Sequence, residues 1–455
     1  MLVVEHMKSI LETMRIHFKQ KRVFDLFQSH VASNLEMPGR HTISNTICFK
    51  GGENKDWCRE YRLFSTSHWD AQGCMDSILQ EALKELPVMS FIPVGIDLTS
   101  LRKHGKRIPF SSYQLDPLSP PFCKGLMWGQ RFLHASLLIP MHEYNLPARG
   151  IPIKLEIAPF VKKPGKKATD EDWEKYKQER KLRNANIQAM KLVRKLSDSC
   201  NKEKRFLMIG DGGFCNRHCF ESLPEKVDLL TRCRKDAKLC YQNKVGRSFY
   251  SSDKFTPEEI RQNPDIAYQK TRAFYGGDWQ EIEYKDIQNV YWQRGAQKRL
   301  LRLIVIKPIP YRKTGSGYDN YRDPCYLLTT DFNSNISELV QSYFNRIEIE
   351  QNHRDLKNNL GLGQAQVWSE TAVERHPQMI MIAYSTLLLS ILRAFGPTRN
   401  AELYLPPPKW YRGRLRPTIE DMKRRVRQEL TSYPIWREYY GIHVPWERVT
   451  PNLVA

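Results

Sequence analysis

No run of 18 or more apolar residues occurs in the sequence, which on hydropathy alone excludes a membrane span. Acidic residues are few beside basic ones: 50 Asp and Glu stand against 71 Lys and Arg, a formal charge of +21. That imbalance exceeds what solubility needs and points to a polyanionic partner, most often nucleic acid. Cysteine is sparse, with 10 in 455 residues, too thin for a disulfide framework. The opening residues, MLVVEHMKSILETMRIHF, lack the basic start and small-residue cleavage site of a secretory signal. Both features fit a reducing cytoplasm. There is no repeat of fixed period and no low-complexity tract. What is present, 41% hydrophobic and 27% charged residues, is a globular composition in a chain too long for one ordinary domain.

Residues 1–87 read mostly as helices and turns. Within them Thr42 is a candidate N-cap before the short apolar-periodic segment Ile43–Ile47, either a recognition helix or a packing helix of a small bundle. From about residue 88 the pattern turns to strands: Phe91–Asp97, His134–Pro140 and Ile151–Ile157. An amphipathic helix is expected between Ala168 and Ser199, with Leu182, Ala185, Ala189, Leu192, Val193 and Leu196 at helical spacing. Lys204–Asp211 follows as a buried-type strand, so residues 88–239 read as the first part of an α/β sheet flanked by helices. Residues 240–320 break the pattern with turn signals and the strand-like Leu300–Ile306, as a β-rich insertion would. The core resumes over 321–396 with the strand Cys325–Asp331 and a long helix from about Ile336 to Leu360. Residues 397–455, rich in Pro, Arg, Trp and Tyr, read as a basic, partly extended tail.

Asp97 and Asp211 each end an apolar strand, and the carboxyl edge of an open α/β sheet is where ligands bind. Either could instead cap a turn; Gly212-Gly213 after the second allows close backbone approach. The helix Tyr343–Lys357 is more specific. Tyr343, Arg346, Glu350 and Lys357 fall within about 60° of arc at roughly 100° per residue, and Arg354 lies in the same stripe. One carboxylate among cations and a tyrosine is no apolar packing face. It offers an oxygen ligand for a metal, with basic groups for a phosphate backbone.

The spacing Tyr-x2-Arg-x3-Glu-x6-Lys, followed by Asn358-Asn359-Leu360-Gly361-Leu362, resembles the signature helix of DDE transposases of bacterial insertion sequences. The likeness extends to Gly95-Ile96-Asp97, to Ile209-Gly210-Asp211-Gly212-Gly213-Phe214 and to Tyr326–Asp331, and covers about residues 88–395. It implies a ribonuclease-H-like mixed sheet interrupted by the β-rich insertion, with a helical N-terminal DNA-binding segment. It implies that Asp97, Asp211 and Glu350 hold two Mg²⁺ ions, with Mn²⁺ able to substitute, and that Tyr343, Arg346, Arg354 and Lys357 contact phosphates. In some relatives a tryptophan of the insertion stacks on a flipped base, and Trp292 or Trp279 is the candidate here. The activity implied is cut-and-paste transposition: strand cleavage at the terminal inverted repeats of double-stranded DNA, then transfer to target DNA. The implied enzyme is a homodimer in a synaptic complex, nucleoid-associated in a prokaryotic cytoplasm and without a membrane partner. A decayed or domesticated transposase that only binds DNA, or another ribonuclease-H-like nuclease, is the alternative.

Two further signals are read. Cys215, His218, Cys219, Cys233 and Cys240 cluster after the second aspartate, but their spacing does not match the paired knuckles of a zinc site. The basic run Lys162–Lys167 reads as a track for DNA backbone or as a solvated loop, while Arg424–Arg427 and the aromatic-basic Trp410–Arg414 suit contact with nucleic acid or with a second subunit.

Overall fold

The structure is a computed structural model that describes residues 2–443, apart from 117, 121, 201–203, 246, 312–316, 319, 401–402, 405 and 407–414. Trp410–Arg414 therefore lie outside the described residues.

Five helices open the chain: α1 (Val3–Glu12), α2 (Lys21–Glu36), α3 (Ile43–Phe49), α4 (Cys58–Ser65) and α5 (Ala71–Leu83). Thr42 is the N-cap of α3, its hydroxyl accepting the Asn45 N–H at 3.2 Å. Ile43, Thr46, Ile47 and Phe49 of that helix are buried, so one face of it packs within the bundle.

Four strands follow, β1 (Phe91–Arg102), β2 (Ser112–Leu115), β3 (Leu126–Ile139) and β4 (Arg149–Ile157). Next come helices α6 (Asp170–Leu182) and α7 (Ala185–Ser199), strand β5 (Arg205–Gly210), helix α8 (Arg217–Ser222) and strand β6 (Val227–Arg232). The single helix expected over 168–199 is thus two. Asn184 interrupts it, its side chain accepting the Asn186 N–H at 2.9 Å as a new N-cap.

A two-stranded sheet of β7 (Leu239–Gln242) and β8 (Tyr250–Phe255) comes next, then α9 (Pro257–Gln262), β9 (Gln269–Tyr275), β10 (Asp278–Val290) and β11 (Leu301–Ile306). A short ladder joins β12 (Pro310–Tyr311) to β13 (Asn320–Tyr321), and β14 (Cys325–Thr329) returns the chain to the core.

The main sheet has ten strands in the order β2-β3-β1-β5-β6-β14-β11-β10-β9, with β4 also on β3. β5 is parallel to β1 and β6 is parallel to β5, whereas β3 runs antiparallel to β1 and β14 to β6. Residues 240–320 are β-rich, but β9, β10 and β11 extend this sheet rather than standing apart from it. Leu301–Ile306 is buried on both faces, as an inner strand must be, its one charged residue, Arg302, being paired with Asp286 at 2.8 Å. β1 does not end at Asp97 but runs on to Arg102, because residues to Arg102 still pair with β3 after the pairing with β5 stops at Gly95. Asp97 therefore sits where β1 and β5 part.

The central strands are buried on both faces and alternate accordingly. Leu207 and Ile209 of β5 join one core with Leu339, Val340 and Ile349, while Phe206 and Met208 join the other. The helix expected over 336–360 is α10 (Ile336–Asn345) and α11 (Ile347–Asn359), divided at Arg346. There the Arg346 N–H donates to the Tyr343 carbonyl and the Ile349 N–H to the Arg346 carbonyl, a tighter i to i+3 turn.

α12 (Glu370–Phe395) is long and apolar enough to cross a membrane, with a mean hydropathy of 1.5 over its most apolar stretch. That corrects the exclusion drawn from the sequence, where scattered polar residues interrupt the run. The stretch is 78% buried, packed against α1, α2, α4, α5 and β4 as the core helix of the fold. The tail is not extended where it is described: α13 (Ile419–Ser432) and α14 (Pro434–Tyr439) are helical. Thr418 opens α13 with a capping box, and Ile419, Met422, Val426 and Leu430 give it a buried stripe that packs on α1 and α2. Arg425 of the basic run is spent on Glu429 at 2.9 Å, and Arg427 on Glu420 at 2.8 Å.

Candidate active site

Asp97 lies mid-strand in β1, opposite His134 of β3. Its Oδ1 accepts the Leu98 N–H at 2.8 Å. Asp211 follows the last residue of β5 and caps the short turn Gly212–Phe214, its Oδ1 accepting the Gly213 N–H at 2.8 Å. Its carbonyl accepts the Thr231 hydroxyl at 2.6 Å, which ties the loop to β6. Asp211 therefore caps its turn and stands at the end of β5 at the same time.

α11 lies directly on β1. A Cβ at Gly95 would come within 2.4 Å of the Ile349 Cδ1, so any larger residue here would have to displace the Ile349 side chain. That contact brings Glu350, the next residue, to the edge where Asp97 and Asp211 stand. Burial pushes the Asp97 carboxyl up to about 6; the charges of Asp211 and Glu350 add to this, while the Leu98 N–H and Arg346 oppose it. The three carboxylates thus share one electrostatic neighbourhood. Glu350 is half exposed and turned to Arg346, whose Nη2 donates to its Oε1 at 2.9 Å. Among the described residues no three Asp, Glu, His or Cys side chains stand close enough to hold a metal ion. The three side chains nonetheless offer hard oxygens, and the charges of Asp211 and Glu350 both act on Asp97, a repulsion that a divalent cation would relieve.

Of the cations named from the sequence, Arg346 and Lys357 are half-buried near Asp97, and its charge acts on both. Burial lowers the Lys357 ammonium, against the pull of Asp97. Arg354 is exposed and donates to Gln351. Together with Arg40, Arg102, His104 and Gln366, Lys357 and Arg354 line a cleft of about 550 Å³ on the β3 side of β1. Tyr343 points elsewhere: its phenol is pushed up by burial and lies against the Cys325 thiol of β14. Trp292 packs edge-on against Phe220, over Gly295, as part of the core. Trp279 stands between Phe274 and His142, with Arg272 over its ring and its indole N–H on Asn145 at 3.1 Å. Burial pushes the Cys219 thiol up to about 12, and Cys215 faces Cys233; among the described residues these side chains form no group that could hold a metal ion.

Two groups of residues escaped the sequence reading. The His134 and His353 rings pack tilted at 47°, with centroids 4.9 Å apart, beside Asp97, and burial with the charges of Lys357 and Arg346 lowers His353 to about 3. Both rings are therefore neutral. The second group holds α11 from behind. Glu348 takes both Arg416 guanidinium nitrogens at 2.8 and 2.5 Å, Asn352 donates to Ser136 and to the Gly150 carbonyl, and Asp355 accepts the Tyr384 hydroxyl at 3.0 Å. The signal was present, since Glu348, Asn352 and Asp355 recur at helical spacing. A polar stripe reads as solvated, however, until buried Arg416 and Tyr384 are seen to face it.

Residues 180–386 match a family model described as the transposase DDE domain. The matched stretch includes Asp211 and Glu350 and begins after Asp97. No curated protein matches the sequence. Among solved structures the chain is similar to the piggyBac transposase in a synaptic complex with hairpin DNA. That similarity is at 12% identity and a TM-score of 0.40, over 99% of this chain and 82% of that one.

Proposed function

We propose that this chain is a DDE transposase that cuts DNA at the ends of an insertion sequence and joins them to a target, in the cut-and-paste manner. The observation that carries this reading is the convergence of Asp97, Asp211 and Glu350, far apart in sequence, on the edge where β1 and β5 part, with Arg346 and Lys357 beside them. The transposase DDE domain match over Asp211 and Glu350 supports it. So does the mixed sheet with parallel β1, β5 and β6 at its centre, which suits a ribonuclease-H-like core.

Asp97, Asp211 and Glu350 would hold the divalent cations, Mg²⁺ by their hard-oxygen chemistry. When bound, such ions activate the attacking oxygen and stabilise the leaving one at phosphorus. The chain's own groups do the rest. Lys357 and Arg354 bind phosphates along the cleft, and Arg346 holds Glu350 until the site fills. The neutral His134–His353 pair and the Arg416–Glu348 anchor keep α11 from shifting. Two copies of the chain, one per end, would join both ends together.

A second reading, DNA binding without cleavage, is favoured by one observation: the Glu350 carboxylate is already held in an ion pair with Arg346. One assay separates the two. A labelled duplex carrying the flanking terminal repeat is incubated with Mg²⁺ and either wild type or Glu350→Gln. Cleavage at the repeat boundary, lost by at least about a hundredfold in the variant while binding persists, is expected. Binding without cleavage by both proteins would select the second reading, and equal cleavage by both would misplace the site.

A further inference from the structure

Beyond Asp211, on the side away from the Lys357 cleft, a second cationic cleft of about 560 Å³ opens. Its walls are the end of β6, the turn at Gly212, α9 and the approach to β14. Arg232, Arg234, Lys235 and Arg261 line it, with Glu258 and Asp323 as the acidic members. Two of the four cations are already committed. Arg234 is held by Asp236 at 2.7 Å and Arg261 by Glu258 at 2.5 Å, and Glu258 also accepts the Tyr326 hydroxyl. Arg232 and Lys235 are exposed and have no side-chain ion pair or hydrogen bond among the described residues. Arg232 is also close to the chemistry. It follows Thr231, whose hydroxyl is bonded to the Asp211 carbonyl, and its own carbonyl lies 3.5 Å from where a Gly212 Cβ would be.

The strand order decides what this cleft faces. Running along the sheet from β3 through β1 and β5 to β6, one meets the Arg102–Lys357 cleft, then Asp97, then Asp211, then the Arg232–Lys235 cleft. The carboxylates thus lie between two separate basic clefts. Cutting one duplex needs one track for its backbone. Joining needs two DNA segments at a single centre. In that step the 3′-hydroxyl oxygen of the cut strand bonds to a target phosphorus and the phosphorus–O3′ bond of the target breaks. The attacking hydroxyl gives up its proton, and the departing target oxygen takes one up, so no other reactant is required.

We infer that the Arg232–Lys235 cleft is the phosphate-binding subsite for the second DNA segment, the target, while the Lys357 cleft holds the element's own end. This inference rests on the transposase reading above and adds to it which face each DNA segment occupies. Arg232 and Lys235 are the groups to remove, because neither makes a side-chain ion pair or hydrogen bond among the described residues, and Arg232 acts on Tyr343 and Cys325 through its charge, which the charge-conserving variant keeps.

The test uses the full chain with Mg²⁺ in two assays, in wild type, Arg232→Ala/Lys235→Ala and the charge-conserving Arg232→Lys/Lys235→Arg. The first cuts an intact terminal-repeat duplex. The second joins a pre-cut repeat end to an unrelated supercoiled plasmid. The alanine pair is expected to cut within about twofold of wild type but to join about tenfold less, with a salt dependence of joining shallower by about two log units per log unit of salt. The charge-conserving pair should join within about threefold of wild type. Equal loss of cutting and joining would overturn the assignment, since the cleft would then hold the element's own duplex. Unchanged joining would overturn it as an idle surface. A wild type that cuts nothing would reject the transposase reading and the cleft's role together, whereas cutting with normal joining in the alanine pair rejects the cleft alone.

Discussion

Asp97 is a member of the proposed site, and its environment makes its charge conditional. With its carboxyl near 6, it is ionised at pH 8 and holds a proton below about pH 6. A protonated carboxyl does not bind a divalent cation, so proton and cation compete for the same oxygens. Cleavage should therefore fall as pH drops through about 6. Raising Mg²⁺ tenfold should move that acid limb down by up to about one pH unit. A pH–rate profile at two Mg²⁺ concentrations measures this, and a limb that ignores Mg²⁺ would separate Asp97 from cation binding. The same residue shows how far sequence could reach. An aspartate after an apolar run was legible as a candidate, but its place at the parting of β1 and β5 was not, because pairing partners come from distant segments.

At the scale of the element, α11 is positioned by contacts on two faces. On one, Ile349 fills the space above Gly95; on the other, Glu348, Asn352 and Asp355 are held by Arg416, Ser136 and Tyr384. Gly95→Ala would drive a methyl into Ile349 and lift the helix that carries Glu350. It should cost about 1–3 kcal/mol in urea unfolding and reduce cleavage more than DNA binding. Ile349→Val removes the clashing Cδ1, so the double variant should recover at least part of both, with a coupling energy of about 0.5–3 kcal/mol. Additive losses would show that the two residues do not meet. The cation stripe of this helix was readable from spacing, since it follows from 3.6 residues per turn. The break at Arg346 and the inward turn of Tyr343 toward Cys325 were not, since both depend on what β14 presents to the helix.

At the scale of the whole molecule, the last helices close over the first ones. Arg437 of α14 pairs with Glu36 at the end of α2, a carboxylate with no exposed surface, while Arg427 of α13 donates to the Glu36 carbonyl at 2.8 Å. Burial pushes Glu36 up to about 7 against the pull of Arg437 and Arg427. Arg437→Met would take away its direct partner and destabilise the fold by about 3 kcal/mol at pH 8. The loss should shrink as pH falls toward 6, because the unpaired carboxyl then takes up a proton instead of staying charged. Adding Glu36→Gln should restore most of the stability at both pH values. Denaturant midpoints across pH test this, and a loss that grows toward acid would contradict it.

Local chemistry accounts for what was legible in advance. A β5 apolar from Phe206 to Ile209, the Thr42 cap, the stripe Arg346–Glu350–Lys357 and the basic excess follow from side-chain periodicity, capping and charge, which neighbouring residues express without help from the rest of the chain. The residues that would carry the chemistry were named on that basis. That they come together was implied by the family resemblance and not by local chemistry, and the extension of the sheet by β9–β11, the folding of the basic tail onto α1 and α2 and the pair of clefts on either side of the carboxylates were not legible at all. Those depend on strand order and on burial, and burial is a property of the packed whole: the same polar stripe on α11 is solvated in an isolated helix and becomes an anchor only once Arg416 and Tyr384 are packed against it.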